Sequence, residues 1–374
     1  MASPYPLPKA DPSELGLNPE KIRLLEALIE SHIAEGRYPG AQVAIARNGR
    51  LAFTRTFGHA KVEPDKITAK DDTLWLMFSN TKVLTLSGIW ALVEDGVLSF
   101  DDPVAMHLPE FAANGKGAIT LFQVATHQGG FPSANTSRES WTDHERMRAE
   151  VCNFSLEWTP GSRIFYHPRA AHLTLAMVIE AATGQDYRTY IRDRVLAPLG
   201  LGDDVFMGVP AGEQSRCADI HRPAGANEPE DNSAALRAAG LPGSGGFGTA
   251  RGMAAFYQML AAGGRLNGIR IFSPRTIAFV TSDFTGERVD EGMAGIPMHR
   301  GLGPHSRGTG PRIRGLGGLA NPRTFGHGGV GSSYCWADPT SGVSLAYLTN
   351  FVYPDPWHSA RLDRVSNLVH AAIE

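Results

Sequence analysis

The stretch Leu74-Trp75-Leu76-Met77-Phe78-Ser79-Asn80-Thr81-Lys82 decides how the rest of the chain is read. Five apolar residues lead to a serine, and the spacing predicts a helix over 81–94 that Gly96 stops. A serine three residues before a lysine shares a helix face with it, so the two side chains can meet. A free serine hydroxyl is a poor nucleophile and needs a neighbouring base, which a lysine supplies if burial or nearby positive charge keeps it neutral. At a helix N-terminus the serine oxygen also sits in a positive field, and its N–H lacks an intrahelical partner. The same position suits a plain helix cap. Lysines are few (Lys9, Lys21, Lys61, Lys66, Lys70, Lys82, Lys116), yet with serine at roughly one residue in twenty chance yields a Ser-x-x-Lys about one time in four. The setting has to decide.

Outward from that stretch, both ends of the chain read as sheet and helix. Asn18-Pro19-Glu20 looks like a helix start, and Ile22, Leu25, Ile29 and Ile33 recur at helical spacing until Gly36. Two β-type runs, 42–46 and 51–57, flank Asn48-Gly49, a preferred pair for a tight hairpin. Near the C-terminus the runs 333–337 and 343–349 flank a turn at 338–342, and Leu362, Val365, Val369 and Ile373 mark a final helix. An α-β-β start and a β-β-α end suggest one antiparallel sheet shared by both termini. The middle is mainly helical, with helices predicted over 81–94, 172–182 and 249–262. Residues 299–329 form a long Gly/Pro/Arg-rich segment without periodicity, the kind of loop that covers a site or links elements.

Bulk properties exclude more than they select. The chain has 374 residues, 42% of them apolar and 20% charged, with a net charge of -3; these are values of an ordinary globular protein with no electrostatic pull toward nucleic acid or acidic membranes. No apolar run approaches the ~20 residues of a membrane helix, and the proline-rich, acidic start at 1–16 is unlike a secretory signal. A cytoplasmic location is therefore expected. Cys152, Cys217 and Cys335 are odd in number and far apart, which suggests free buried thiols. His127, His299 and His305 lack metal-ligand spacing, so no metal or other cofactor is expected. Motifs of an α/β-hydrolase elbow, a zinc protease and a nucleotide phosphate loop are absent.

Further landmarks follow Ser79 and Lys82 in order. They are Leu92-Val93-Glu94-Asp95-Gly96-Val97-Leu98, Asp101-Asp102-Pro103-Val104, Thr126-His127-Gln128-Gly129-Gly130-Phe131-Pro132, Pro160-Gly161-Ser162 before Phe165-Tyr166, Pro198-Leu199-Gly200-Leu201, Gly245-Gly246-Phe247 and His327-Gly328-Gly329. With them the chain, from about residue 39 to 350, resembles the serine β-lactamase and penicillin-binding-protein superfamily, especially its class C β-lactamase-like esterase and transesterase branch (family VIII carboxylesterases). The resemblance implies an α+β fold: an antiparallel sheet with terminal helices from 1–60 and 241–374, a mainly helical lobe at 61–240, and the active site in the cleft between. It also implies that Tyr166 stands at the tyrosine of a Tyr-x-Asn motif, where a phenol of depressed pKa beside a cationic lysine would exchange protons with Ser79.

The departures from the family pattern are as informative. His167-Pro168 follow Tyr166, so the asparagine that contacts an amide is missing, and no lysine follows Lys116, so His327-Gly328-Gly329 stands where Lys-Thr-Gly is usual. Histidine is mostly neutral at pH 7, which weakens any grip on a carboxylate. Glycines at 328 and 329 would let a substrate approach a strand edge, though a bulge or turn would use them equally. By the family's geometry the N–H groups of Ser79 and Val330 would hold an oxyanion, beside His327, Gly328 and Gly329. The expected function is a serine hydrolase that cleaves a small-molecule carboxylic ester through an acyl-enzyme on Ser79, with Lys82 and Tyr166 moving its proton. The alternatives are a transesterase, a D-amino-acid peptidase or weak β-lactamase, and a non-catalytic binding protein. Trp75, Phe131, Trp141, Trp158 and Trp336 are candidates to line an acyl pocket. The oligomeric state stays open.

Overall fold

The structure is a computed structural model and describes residues 6–223, 226, 230–310 and 315–374. The main sheet is built from β1 (Gly40–Arg47), β2 (Arg50–Lys61), β3 (Ile67–Thr68), β4 (His305–Ser306), β5 (Phe325–Gly328), β6 (Tyr334–Asp338) and β7 (Val343–Thr349). Its strand order is β4-β5-β6-β7-β1-β2-β3, and each pairing is antiparallel. Asn48 and Gly49 turn β1 into β2 with φ values of 52° and 76°, the left-handed pair that a two-residue hairpin requires. At the centre β1 lies beside β7, with Ala41 opposite Thr349 and Arg47 opposite Val343. The two ends of the chain are thereby joined.

Strand alternation divides the core in two. Val43, Ile45, Leu345 and Tyr347 meet the terminal helices α1 (Pro19–Ala34) and the C-terminal helix Trp357–Ala371 through Leu25, Ile29, Leu362 and Val365. Ala44, Ala46, Ala337 and Ala346 face the other way, toward the helical part of the chain. These small side chains let the helix Ala250–Ala261 lie close against the sheet. Between β3 and β4 the chain forms α2 (Thr81–Glu94), α3 (Ala170–Thr183) and α4 (Ala250–Ala261), separated by short helices and turns, and α5 (Trp357–Ala371) closes the chain. This stretch is not wholly helical: Trp75–Leu76, Val205–Met207 and Gly246–Gly248 pair as a small second sheet.

Helix α2 is buried around almost its whole circumference, Lys82 included. An all-round apolar helix belongs in a core, and each fully buried leucine or isoleucine there stabilises by ~1.5–3 kcal/mol. That surplus offsets the burial of one amine. The segment 299–329, expected to be an aperiodic loop, holds β4 and β5. Strand β5 is Phe-Gly-His-Gly, and its glycines leave no alternation to read. Arg312 and Arg314 of that segment lie outside the described residues.

Candidate active site

Ser79 sits in a 3-10 turn, Phe78–Asn80, that runs straight into α2. The cap position of α2 belongs to Asn80, which makes no side-chain capping bond, so Ser79 is not a cap and its hydroxyl is available. Phe78 just before it has φ = 45°, a left-handed conformation that costs a bulky residue ~1–3 kcal/mol and persists only where neighbours enforce it. Those neighbours are visible. The Asn80 amide donates to Ser333 Oγ at 2.9 Å, and Thr81 Oγ1 accepts from the Gly246 N–H at 2.9 Å.

Ser79 Oγ accepts a hydrogen bond from the Tyr166 hydroxyl at 2.8 Å and lies 3.2 Å from Lys82 Nζ. Lys82 is 0% exposed, and its Nζ donates to the carbonyls of Pro168 at 2.8 Å and Gly243 at 2.7 Å. Position 243 is tight, because a Cβ there would stand 3.1 Å from the Pro168 carbonyl and 3.3 Å from Nζ. Burial, then the charges of Arg300 and Arg169, hold the Lys82 amine well below the usual lysine range. In its neutral form the amine would spend its two N–H groups on the two carbonyls and turn its lone pair to the Ser79 hydroxyl. The sequence-based expectation of a depressed phenol beside a cationic lysine is overturned here. Burial pushes the Tyr166 phenol up to about 12, and its bond to Ser79 and the Arg300 charge offset this only in part. Tyr166 therefore keeps its proton at neutral pH and donates it to Ser79 Oγ.

Two residues that sequence reading missed hold Tyr166 in place. The Tyr166 N–H donates to Asp290 Oδ1 at 2.9 Å, Arg300 Nε donates to Asp290 Oδ2 at 2.9 Å, and the Arg300 guanidinium lies 5.0 Å from the centre of the Tyr166 ring. Both partners of this ion pair are buried, at 2% and 0% exposure, so each depends on the other for its charge. An arginine in an unpatterned loop was the only signal, and it did not name its partner. His127, with φ = 61°, packs its ring 4.8 Å from that of Tyr166 and accepts from the His167 N–H at 3.0 Å. His167 turns inward: its Nδ1–H donates to the Phe165 carbonyl at 2.6 Å. It does not replace the missing asparagine.

Across the cleft, β5 brings His327-Gly328-Gly329 to Ser79. A Cβ on Gly329 would stand 2.6 Å from the Met77 carbonyl and 3.1 Å from Phe78 Cβ, so only glycine lets the strand end approach the serine turn this closely. Strand β4 covers β5 only at Phe325 and Gly326, which leaves the edge of His327 and Gly328 open. Neither the Ser79 nor the Val330 N–H has an acceptor among the described residues. Both residues line a cavity of about 240 Å³. Val330 is 55% exposed at its mouth. None of the aromatic candidates Trp75, Phe131, Trp141, Trp158 and Trp336 lines it; its apolar wall comes from Met293, Met298, Val330 and Leu362. Trp75, Phe131 and Trp336 are fully buried core side chains instead. Burial lowers His327 to about 3, so it is neutral, and no lysine or arginine lines the cavity among the described residues. One group of metal-ligand type, His144, Glu180 and Asp186, lies elsewhere; Asp186 is taken by Arg188, and Glu180 accepts from His144 at 2.7 Å.

The beta-lactamase family model matches residues 25–368 of the chain. The chain belongs to the beta-lactamase family. Membership makes it a serine hydrolase with a β-lactamase-like α+β fold. The crystal structure of a family VIII carboxylesterase superposes with a TM-score of 0.82 at 26% identity, covering 96% of this chain and 99% of that one. A penicillin-binding-protein homologue from Caulobacter crescentus gives a TM-score of 0.81 at 27% identity, with the same coverage. Among curated proteins, the esterase/beta-lactamase LipL of Mycobacterium tuberculosis is 28% identical over 314 residues, 75% of this chain and 70% of that protein. An Escherichia coli protein provisionally named D-alanyl-D-alanine carboxypeptidase is 25% identical over 388 residues, 93% of this chain and 87% of its own length.

Proposed function

We propose that this beta-lactamase-family protein is a carboxylic ester hydrolase in which Ser79 is the nucleophile, Lys82 its base and Tyr166 its proton donor. The observation that carries the assignment is the double contact on Ser79 Oγ, from Tyr166 at 2.8 Å and from a fully buried Lys82 at 3.2 Å. In acylation the Lys82 amine takes the hydroxyl proton as Ser79 Oγ bonds to the ester carbonyl carbon. The N–H groups of Ser79 and Val330 receive the oxyanion, and donors placed this way are commonly worth ~3 kcal/mol of barrier each. When the C–O bond breaks, the departing alkoxide takes the Tyr166 proton, and Tyr166 is recharged from the Lys82 ammonium. Water then repeats the sequence in the alcohol's place: it gives a proton to Lys82, attacks the acyl carbon, and releases the acid while Ser79 regains its proton.

The strand side favours esters over β-lactams and peptides. Those substrates present a carboxylate that a cation should meet, whereas His327 is neutral and the described cavity wall holds no lysine or arginine. Their amide also lacks its usual contact, since Pro168 stands at the asparagine position of the motif and has no side-chain amide. Activity on a small-molecule ester in the cytoplasm agrees with three free, buried cysteines. Turnover of p-nitrophenyl butyrate and of a chromogenic cephalosporin checks the reading. The ester is expected to react at least a hundredfold faster in kcat/KM; a faster cephalosporin overturns it. Added acceptor alcohols test transfer against hydrolysis, and hydrolysis is expected to dominate.

A further inference from the structure

The turn that carries Val330 is held by groups from elsewhere in the chain. After β5 the Gly329 N–H donates to the Ser333 carbonyl at 2.8 Å, and the Ser332 N–H returns to the Gly329 carbonyl at 3.2 Å, with Gly331 at φ = 60° completing the turn. The Gly329–Val330 peptide is trans, so its N–H points opposite to that carbonyl and out of the turn. Its direction depends on how the next two carbonyls are fixed. The Gly331 carbonyl accepts from the Tyr353 N–H at 2.9 Å, and a Cβ on Gly331 would stand 2.5 Å from that nitrogen.

The remaining hold comes from Arg361 on α5. Its Nη2 donates to the carbonyls of Gly331 at 3.1 Å and Ser332 at 2.8 Å, and its Nη1 to Thr349 Oγ1 at 3.3 Å. The Thr349 hydroxyl in turn donates to the same Ser332 carbonyl at 2.7 Å. A further partner is His358 Nδ1, 2.9 Å from Nη2. Arg361 is 1% exposed, and its guanidinium carbon lies 5.3, 5.5 and 5.1 Å from the ring centres of Tyr38, Tyr347 and Trp357. None of these partners is a carboxylate. Burying a charge without an opposite charge is costly, and aromatic faces and carbonyl dipoles offset only part of it. Such a group calls for a reason, and its hydrogen bonds converge on the Val330 turn.

We propose that Arg361 is a positioning residue for the oxyanion contact: it fixes the direction of the Val330 N–H by holding the two carbonyls beyond it. The proposal rests on the esterase reading above, and it adds a residue on which the oxyanion donor of that reading depends. An arginine suits the task because its planar fork donates in fixed directions to several acceptors at once, whereas an ammonium is a point charge. The effect belongs to the transition state, where the ester oxygen gains charge, and not to ground-state binding.

The test reads p-nitrophenyl butyrate against its thiono analogue, in which a sulfur that accepts hydrogen bonds poorly replaces the carbonyl oxygen. The ratio of the two kcat/KM values, taken within each protein, reports the oxyanion contact. In Arg361→Met the kcat for the oxygen ester is expected to fall by about tenfold to a hundredfold, less than the loss from removing an oxyanion donor outright, with KM little changed and the oxygen-to-sulfur ratio falling by a similar factor. Arg361→Lys keeps the charge without the fork and is expected to lie between that variant and wild type. Thr349→Val, which removes the second donor to the Ser332 carbonyl, is expected to lower the ratio by about threefold. An unchanged ratio in folded Arg361→Met overturns the proposal and leaves the esterase standing, even where the rate is lower, because a loosened fold slows both esters alike. If Arg361→Met does not fold, Arg361→Lys and Thr349→Val decide, and a ratio unchanged in both overturns it. A wild-type chain that turns over neither ester overturns the esterase reading as well.

Discussion

The two walls of the cleft differ in how completely their polar atoms are spoken for. On the helix wall the Ser79 hydroxyl, the Tyr166 hydroxyl and the Lys82 amine are joined to one another, and the amine has two further carbonyl partners. On the strand wall the Val330 N–H has no acceptor among the described residues. A closed network fixes protonation states before any substrate arrives, which serves chemistry. An open donor is left for a substrate oxygen to complete, which serves binding.

The sharpest way to break this division is Lys82→Met, which keeps the length of the side chain and removes the base. Loss of a positioned general base lowers kcat by about a hundred to ten thousand-fold, and the expectation is the upper end, because the two carbonyls that held the amine are also orphaned. Steady-state kinetics on p-nitrophenyl butyrate with a folding check by circular dichroism read this out; activity within tenfold of wild type contradicts the assignment. Gly329→Ala probes the strand wall. The added methyl meets the Met77 carbonyl at 2.6 Å, pushes Val330 away from Ser79, and should lower kcat by about a hundred to a thousand-fold, the cost of an oxyanion donor.

Arg300→Met tests whether Tyr166 is held through its buried ion pair. Removing one partner of such a pair costs about 3–5 kcal/mol of stability, so a lowered urea midpoint is expected together with a kcat loss of about tenfold. Unchanged stability contradicts the role given to the pair.

The smallest effects are those of pH. Because the Lys82 amine lies well below the usual lysine range and the Tyr166 phenol at about 12, kcat/KM should rise with pH through one limb that belongs to Lys82. Tyr166→Phe is expected to lower the rate and leave that limb where it is; a limb that disappears assigns it to the phenol instead. Stability follows the histidines. Burial lowers His167 to about 4, from about 6.5 for an ordinary histidine, so between those values the unfolded chain binds the extra proton and stability falls as pH falls. The loss from this group is on the order of 3 kcal/mol by pH 4, and a urea midpoint that stays flat from pH 7 to 4 contradicts it.

Much of the helix wall was legible because its signals are local. Ser79 and Lys82 are three residues apart, Asn48-Gly49 names its own turn, and α2 runs over the residues 81–94 that its spacing predicts. What depends on burial was not legible. The Tyr166 phenol was expected low and stands high, since sequence shows a neighbouring lysine but not the loss of water around both. Trp75 and Trp336 looked like pocket lining and pack in the core. Asp290 and Arg300 meet Tyr166 from a distant, unpatterned segment, and the left-handed Phe78 and His127 carry residue types that do not announce such backbone.

The central claim is that Ser79 is a nucleophile made reactive by a neutral, buried Lys82. Mass spectrometry of the folded protein after fluorophosphonate treatment tests it most directly. One adduct per chain, located on Ser79 and formed at least a hundredfold more slowly in Lys82→Met, is the expected result; an unlabelled Ser79, or one labelled equally fast without Lys82, contradicts it.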